Sequence, residues 1–196
     1  MPLQNRVLPT GQIIAHPARG TCMGNRGILH DSQQQLGRAR WRHKAWIICH
    51  LQFKGRHRQV MAPNRYTELF FLDEATALAA GHRPCAECRR ADYNEFRTAL
   101  SMPNAPTLDA ALHRSRTAKR AAPSHAVTAL PAGCFILHQG QPALIGHSGL
   151  HRYSPAGYGP AEPFPDGPQI VLTPQLTCQA LRNGYRPEIH ESATHP

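Results

Sequence analysis

The decapeptide Gly81-His82-Arg83-Pro84-Cys85-Ala86-Glu87-Cys88-Arg89-Arg90 gathers the most reactive side chains of this 196-residue chain. Two thiols two residues apart can hold one metal ion or form a redox pair. The flanking Arg83, Arg89 and Arg90 raise the local positive potential, which favours the thiolate in either role. A redox dithiol sits at the start of a long helix after a strand, whereas here a short helix precedes the motif and no βαβ pattern surrounds it. Zinc is therefore the favoured cofactor, ahead of a redox pair or inert cysteines. Glu87 could serve as a general base on zinc-bound water if the site kept an open position. The deaminase signature needs an upstream His-x-Glu that this chain lacks, so catalytic zinc is the lesser reading.

The elements that must position the motif can be read on either side of it. Residues 69–72 are a compact apolar strand running into Asp73, a helix N-cap, with Glu74 in the first turn. The helix spans 74–80, and Gly81 supplies the left-handed residue just past its end, with Pro84 preventing continuation. A second helix follows Cys88, carried by Tyr93, Phe96 and Leu100 at spacings of three and four, and Pro103 ends it. Upstream, residues 40–53 read as a strand, 54–57 as a hairpin and 59–61 as its return. The first 37 residues read as loops with a short strand near 12–15. Residues 103–125 form a basic linker with a helical piece at 107–118. Residues 126–153 have the rhythm of an antiparallel meander, with turns at Gln139-Gly140 and Ser148-Gly149. The proline-rich stretch 154–168 reads as loop, Thr173-Pro174 opens a last short helix closing at Gly184, and the tail 188–196 reads as flexible. Residues 78–84 echo 181–187 in that both pair a helix stop with Gly and then Pro. The resulting class is α+β: a small zinc-stabilised strand/helix module at 38–102 plus a C-terminal antiparallel β meander with short helices at 126–187.

The run from Leu69 to Cys88, ending Gly81-His82-Arg83-Pro84-Cys85-Ala86-Glu87-Cys88, resembles the second half of the zinc-binding domain of the bacterial Ada DNA-repair proteins. That half is a phenylalanine-containing strand, an alanine-rich helix, then Gly-aromatic-Arg-Pro-Cys-x-x-Cys. The resemblance covers residues 69–88 and implies a zinc ion held by Cys85 and Cys88 in a DNA-associated bacterial protein. In that family four cysteines hold the zinc, and one of an upstream Cys-x-x-x-Cys pair accepts a methyl group from a DNA phosphotriester. This chain departs there, since its nearby upstream cysteine is Cys49 alone. Related knuckles use one Cys and one His upstream, so Cys49 with His57 across the hairpin, or with His30 or Cys22 from the N-terminal loop, would complete a tetrahedron. His50 cannot join Cys49 from a regular strand, because neighbours point to opposite faces.

Charge names the partner class. Lys and Arg number 22 against 12 Asp and Glu, a net charge of +10 with the 13 His neutral. No acid lies between Asp31 and Glu68, a stretch holding Arg38, Arg40, Arg42, Lys44, Lys54, Arg56, Arg58 and Arg65, and another acid-free stretch runs from Ala110 to Ala161. With Arg83, Arg89 and Arg90 these form a candidate nucleic-acid surface, DNA favoured over RNA, with Trp41 and Tyr66 as open candidates for base stacking. No run approaches the roughly 18 apolar residues of a membrane span, and scattered cysteines suit a reducing cytoplasm. The leading reading is a zinc-binding, nucleic-acid-contacting protein with a structural metal. The alternatives are a DNA-repair methyl acceptor, a zinc-dependent enzyme on nucleic acid, or a protein-interaction module.

Overall fold

Apolar residues come in short runs, and the elements they form are short. The computed structural model describes residues 1–56, 59–118 and 125–193. In order they are β1 (Gln4–Val7), β2 (Ile13–Ala15), β3 (Cys22–Asn25), β4 (Ile47–His50), β5 (Leu69–Phe71), α1 (Glu74–Ala79), β6 (Arg83–Pro84), α2 (Arg90–Ala99), α3 (Ala105–Thr117), β7 (His125–Ala126), β8 (Phe135–His138), β9 (Gln141–Ile145), β10 (Leu150–Ser154), β11 (Gly157–Glu162), β12 (Pro168–Val171) and α4 (Gln175–Arg182). The architecture is α+β, with two six-stranded sheets ordered β2-β1-β5-β3-β4-β6 and β11-β10-β9-β8-β12-β7. The first is mixed, with β1–β5 and β4–β6 parallel. The second is antiparallel throughout. No helix among the described residues is long and apolar enough to cross a membrane.

Local chemistry explains the helix ends. Asp73 caps α1 by accepting from the Thr76 amide at 2.8 Å. Beyond Ala80, Gly81 takes φ +91°, its amide reaching the Leu78 carbonyl while His82 reaches Ala77. The same two bonds close α4, from Gly184 to Leu181 and from Tyr185 to Ala180, with Gly184 at φ +105°. The echo between 78–84 and 181–187 is thus one helix-stop motif used twice. Thr173 does not cap α4; its hydroxyl accepts from the Phe135 amide at 2.8 Å and Pro174 takes the cap position.

Several expectations change. The strand over 40–53 shortens to β4, and no return strand forms at 59–61. Met61 is fully buried at φ +53°, and its amide goes to the Glu68 carboxylate at 2.7 Å instead of to a ladder partner. Part of the proline-rich stretch forms β11, where Pro160 is tolerated because β11 is an edge strand. In the segment expected to be a flexible tail, the Glu188 and His190 amides donate to Glu74 and Asp73 at 3.0 Å each. Across the division expected between 38–102 and 126–187 the core is continuous, joining Ile48, Phe71 and Leu78 to Phe96, Leu112, Ile136, Ile145 and Leu181. Every residue of α1 is buried, facing that core on one side and Phe135, Leu144 and Tyr158 on the other.

Trp46, at the entry to β4, packs between the Arg26 and Arg116 guanidinium groups, whose centres lie 4.1 and 4.0 Å from its ring. Arg26 Nε donates to His82 Nε2 at 3.1 Å, so that nitrogen must be unprotonated and the fully buried imidazole neutral. Burial, reinforced by Arg26, Arg116 and Arg83, holds the His82 pKa well below its ordinary value. The unfolded chain therefore takes up a proton near pH 6.5 that the folded chain refuses, and stability falls as pH drops below that point, by up to about 1.4 kcal/mol per pH unit. Urea midpoints measured from pH 7.5 to 5 should fall more steeply for the native protein than for His82→Gln; equal slopes would refute the assignment.

Candidate metal centre

Parallel pairing of β6 with β4 brings the reactive residues together. The Arg83 amide donates to the Trp46 carbonyl at 3.0 Å and the Cys85 amide to Ile48 at 2.9 Å, which sets Cys85 beside the end of β4 and hence beside Cys49. Strands β3 and β4 approach closely at Gly24, where a Cβ would stand 2.1 Å from the Ile47 carbonyl oxygen. Cys88 returns to the same spot through the turn between β6 and α2. The Sγ atoms of Cys49, Cys85 and Cys88 all lie within 4.8 Å of one another.

This spacing fits a single soft metal ion, since thiolates at about 2.3 Å around a tetrahedral zinc stand roughly 3.8 Å apart. The thiols share their protons accordingly. Hydrogen bonds from Cys49 and Cys88 push the Cys85 pKa far down, toward a thiolate. Donation to Cys85 and then to Cys88 raises Cys49. For Cys88 the bond from Cys49 lowers the pKa, but donation to Cys85 and burial outweigh it. The backbone adds donors: the Glu87 amide points at Cys85 Sγ at 3.4 Å, and the His50 amide serves Cys88. Amides aimed at sulfur disperse thiolate charge, as the second shell of a metal site must.

Of the other proposed ligands, none joins this group among the described residues. His30 is buried with both ring nitrogens engaged, by Thr67 Oγ1 at 2.7 Å and the Ala62 carbonyl at 3.2 Å, so it has no lone pair to offer a metal. Cys22 is the register partner of His50, one residue off the Met23–Cys49 pair, and its side chain is buried in the core on the other face of the sheet. His50 is exposed. His57 and Arg58 lie outside the described residues. All six cysteines are free thiols.

The basic residues divide into two groups. Arg38, Arg40, Arg42, Lys44, Lys54, Arg56, Arg65 and Arg90 are exposed, and Trp41 stays 41% exposed with its ring against His113 at 4.6 Å. Arg56 is already matched by Glu87 at 2.7 Å, which also occupies the carboxylate a zinc-bound water would need. Arg83 and Arg89 are corrections to the nucleic-acid surface, because both are buried in ion pairs. Arg83 makes a bidentate contact with Asp109, both bonds at 2.9 Å. Arg89 bridges Glu74 at 2.8 Å and Asp92 at 2.7 Å. Neither guanidinium is available to phosphate.

Sequence reasoning misses the surroundings of the thiols. Met23 stands opposite both Cys49 and Phe70, so these three share one face of the first sheet. The stretch after β4 folds over that face and encloses a pocket of about 300 Å³, which the thiols line together with Asn25, Phe53 and Glu68. The alternation of β3 and β5 held that signal, but only the strand pairing turns it into a site. No protein-family model, curated protein or solved structure matches this chain.

Proposed function

We propose that the protein is a zinc-binding, nucleic-acid-contacting protein, DNA in the first instance, in which the metal fastens the end of β4 to the Cys85–Cys88 turn. The convergence of Cys49, Cys85 and Cys88 from two separate parts of the chain carries this reading, since three mutually close thiols with amide donors suit zinc better than any hard cation. The Ada-like order of strand, helix, Gly-His-Arg-Pro and Cys-x-x-Cys supports it, as does the acid-free stretch of exposed arginines beside Trp41. Bound zinc would supply a cross-link between β4 and the turn. The chain's own residues do the rest: the exposed arginines pair with phosphates and Trp41 offers a stacking face.

Metal analysis of protein purified without chelator should give one zinc per chain, lost in Cys49→Ser, Cys85→Ser and Cys88→Ser alike. Zinc retained in Cys49→Ser would remove β4 from the centre, and a metal-free native protein would end the zinc reading.

Binding to single- and double-stranded DNA should weaken with salt, each neutralised phosphate contributing about −0.9 to the slope of log K against log[salt] on duplex. Replacing Arg42 and Lys44 together with Ala should flatten that slope by about 2 units. Arg83→Met should leave the slope unchanged while costing about 3–5 kcal/mol in stability, because it strands the buried Asp109 carboxylate. A salt-insensitive affinity, or none, would point to the protein-interaction alternative.

The half-buried position of Cys49 on the pocket wall favours one second reading, an alkyl acceptor. There the Cys49 thiolate would attack a methyl carbon and the leaving oxygen would depart with the bonding pair. Treatment with a methylating agent should then add one methyl group to Cys49; an unmodified Cys49 excludes that role.

A further inference from the structure

The pocket beside the thiols has a composition that selects its ligand. At about 300 Å³ it lies at the small end of ligand sites, and Met23, Phe53, Val60 and Phe70 make its walls mainly apolar. Its fixed polar points are few. Glu68, 3% exposed, is held by the Met61 amide on Oε2, and Asn25, 7% exposed, is held through Oδ1 by the Gly27 amide at 3.3 Å.

Charge narrows the class further. Three thiolates around a divalent ion sum to about −1, Glu68 adds another, and among the described residues the lining arginine, Arg56, is matched by Glu87. A phosphate or carboxylate would meet repulsion inside. Outside the lining the exposed Lys54 ammonium lies 5.1 Å from the Phe53 ring centre, a positive charge next to the pocket. An anionic backbone is welcome outside and excluded within.

Among the described residues three side chains reach the metal position, which leaves one tetrahedral position for a further donor, and the pocket opens beside it. A flat ring suits Phe53 and Phe70, a ring nitrogen lone pair suits the metal, and an amino group beside that nitrogen suits an immobilised carboxylate. We propose that this pocket binds one uncharged aminated nitrogen heterocycle of nucleobase size, its ring nitrogen on the metal and its amino group donating to Glu68. The inference rests on the zinc reading above and adds a ligand to it. The base can arrive free or be presented by a single strand whose phosphates stay at the mouth.

Cobalt(II) in place of zinc makes the coordination sphere visible, since its ligand-field absorption responds to a new donor. The full-length cobalt protein, titrated with cytosine, should show a saturable spectral change. Thymine, which when neutral lacks the ring lone pair and amino group, and inorganic phosphate should leave the spectrum unchanged. Glu68→Gln should bind cobalt as before and weaken cytosine at least tenfold; if that variant does not fold, Phe53→Ala carries the same comparison. A short oligodeoxycytidine strand binding more tightly than free cytosine assigns the strand as the source, and the reverse assigns the free base. A cobalt spectrum unmoved by cytosine and by the strand, or moved equally by thymine or phosphate, overturns the proposal while the metal reading stands. Failure to take up cobalt or zinc overturns the metal reading itself.

Discussion

Two adjacent buried carboxylates, Asp73 and Glu74, hold the structure together at the start of α1. Asp73 accepts from the Thr76 amide, from the Tyr158 hydroxyl at 2.7 Å and from the His190 amide. Glu74 accepts from the Tyr185 hydroxyl at 2.6 Å, from Arg89 and from the Glu188 amide. The second sheet, the C-terminal segment and the turn before α2 all meet at these two side chains. Burial raises the Glu74 pKa while Arg89 and then Tyr185 oppose the rise. Buried carboxylates are costly unless each oxygen is bonded, and here each oxygen has a donor. Once those donors are in place, the path of the chain around α1 has little freedom left.

The thiol turn inherits its position from this arrangement. Arg89 follows Cys88 directly and is drawn inward by Glu74, while Arg83 stands two residues before Cys85 and is drawn inward by Asp109 on α3. The turn is pinned at both ends by buried guanidinium groups, so its sulfurs are presented to Cys49 without relying on a metal to gather them. Such preorganisation would lower the conformational cost of binding a metal ion, because the thiols are ordered beforehand. It also explains why arginines flank the cysteines so densely. Two of them position the backbone, and only Arg90 remains on the surface.

Local signals are legible in the sequence, and pairings between distant segments are not. The Asp73 cap, the Gly81 stop and the spacing of Tyr93, Phe96 and Leu100 each depend on neighbours within a few residues, and each appears in the fold. The meander through Gln139-Gly140 is legible for the same reason, a tight turn between alternating strands. By contrast, Arg83 and Arg89 read as surface charges because their partners, Asp109 and Glu74, are set by tertiary packing. His30 reads as a ligand because nothing local reveals that Thr67 and Ala62 occupy its ring. The segment after β4 misleads in a further way. Its apolar residues suggest a return strand, but Met61 gives its amide to Glu68 and buries its side chain, which turns a ladder strand into the cover of a pocket.

The two faces of the first sheet consequently have different physical roles. On one face Ile48, Leu69 and Phe71 enter the shared core, where burial stabilises the fold. On the other, Met23, Cys49 and Phe70 meet a covering segment instead of a helix, and polar groups such as Glu68 and Asn25 are buried among apolar ones. Holding a carboxylate in such surroundings costs stability unless its oxygens are bonded, which a protein built for stability alone would avoid by placing a leucine there. Glu68 therefore reads as a group retained for the pocket it faces. On the function proposed above, the exposed basic stretch outside and the anionic lining within would divide a ligand between them, phosphate to the surface and an uncharged ring to the interior.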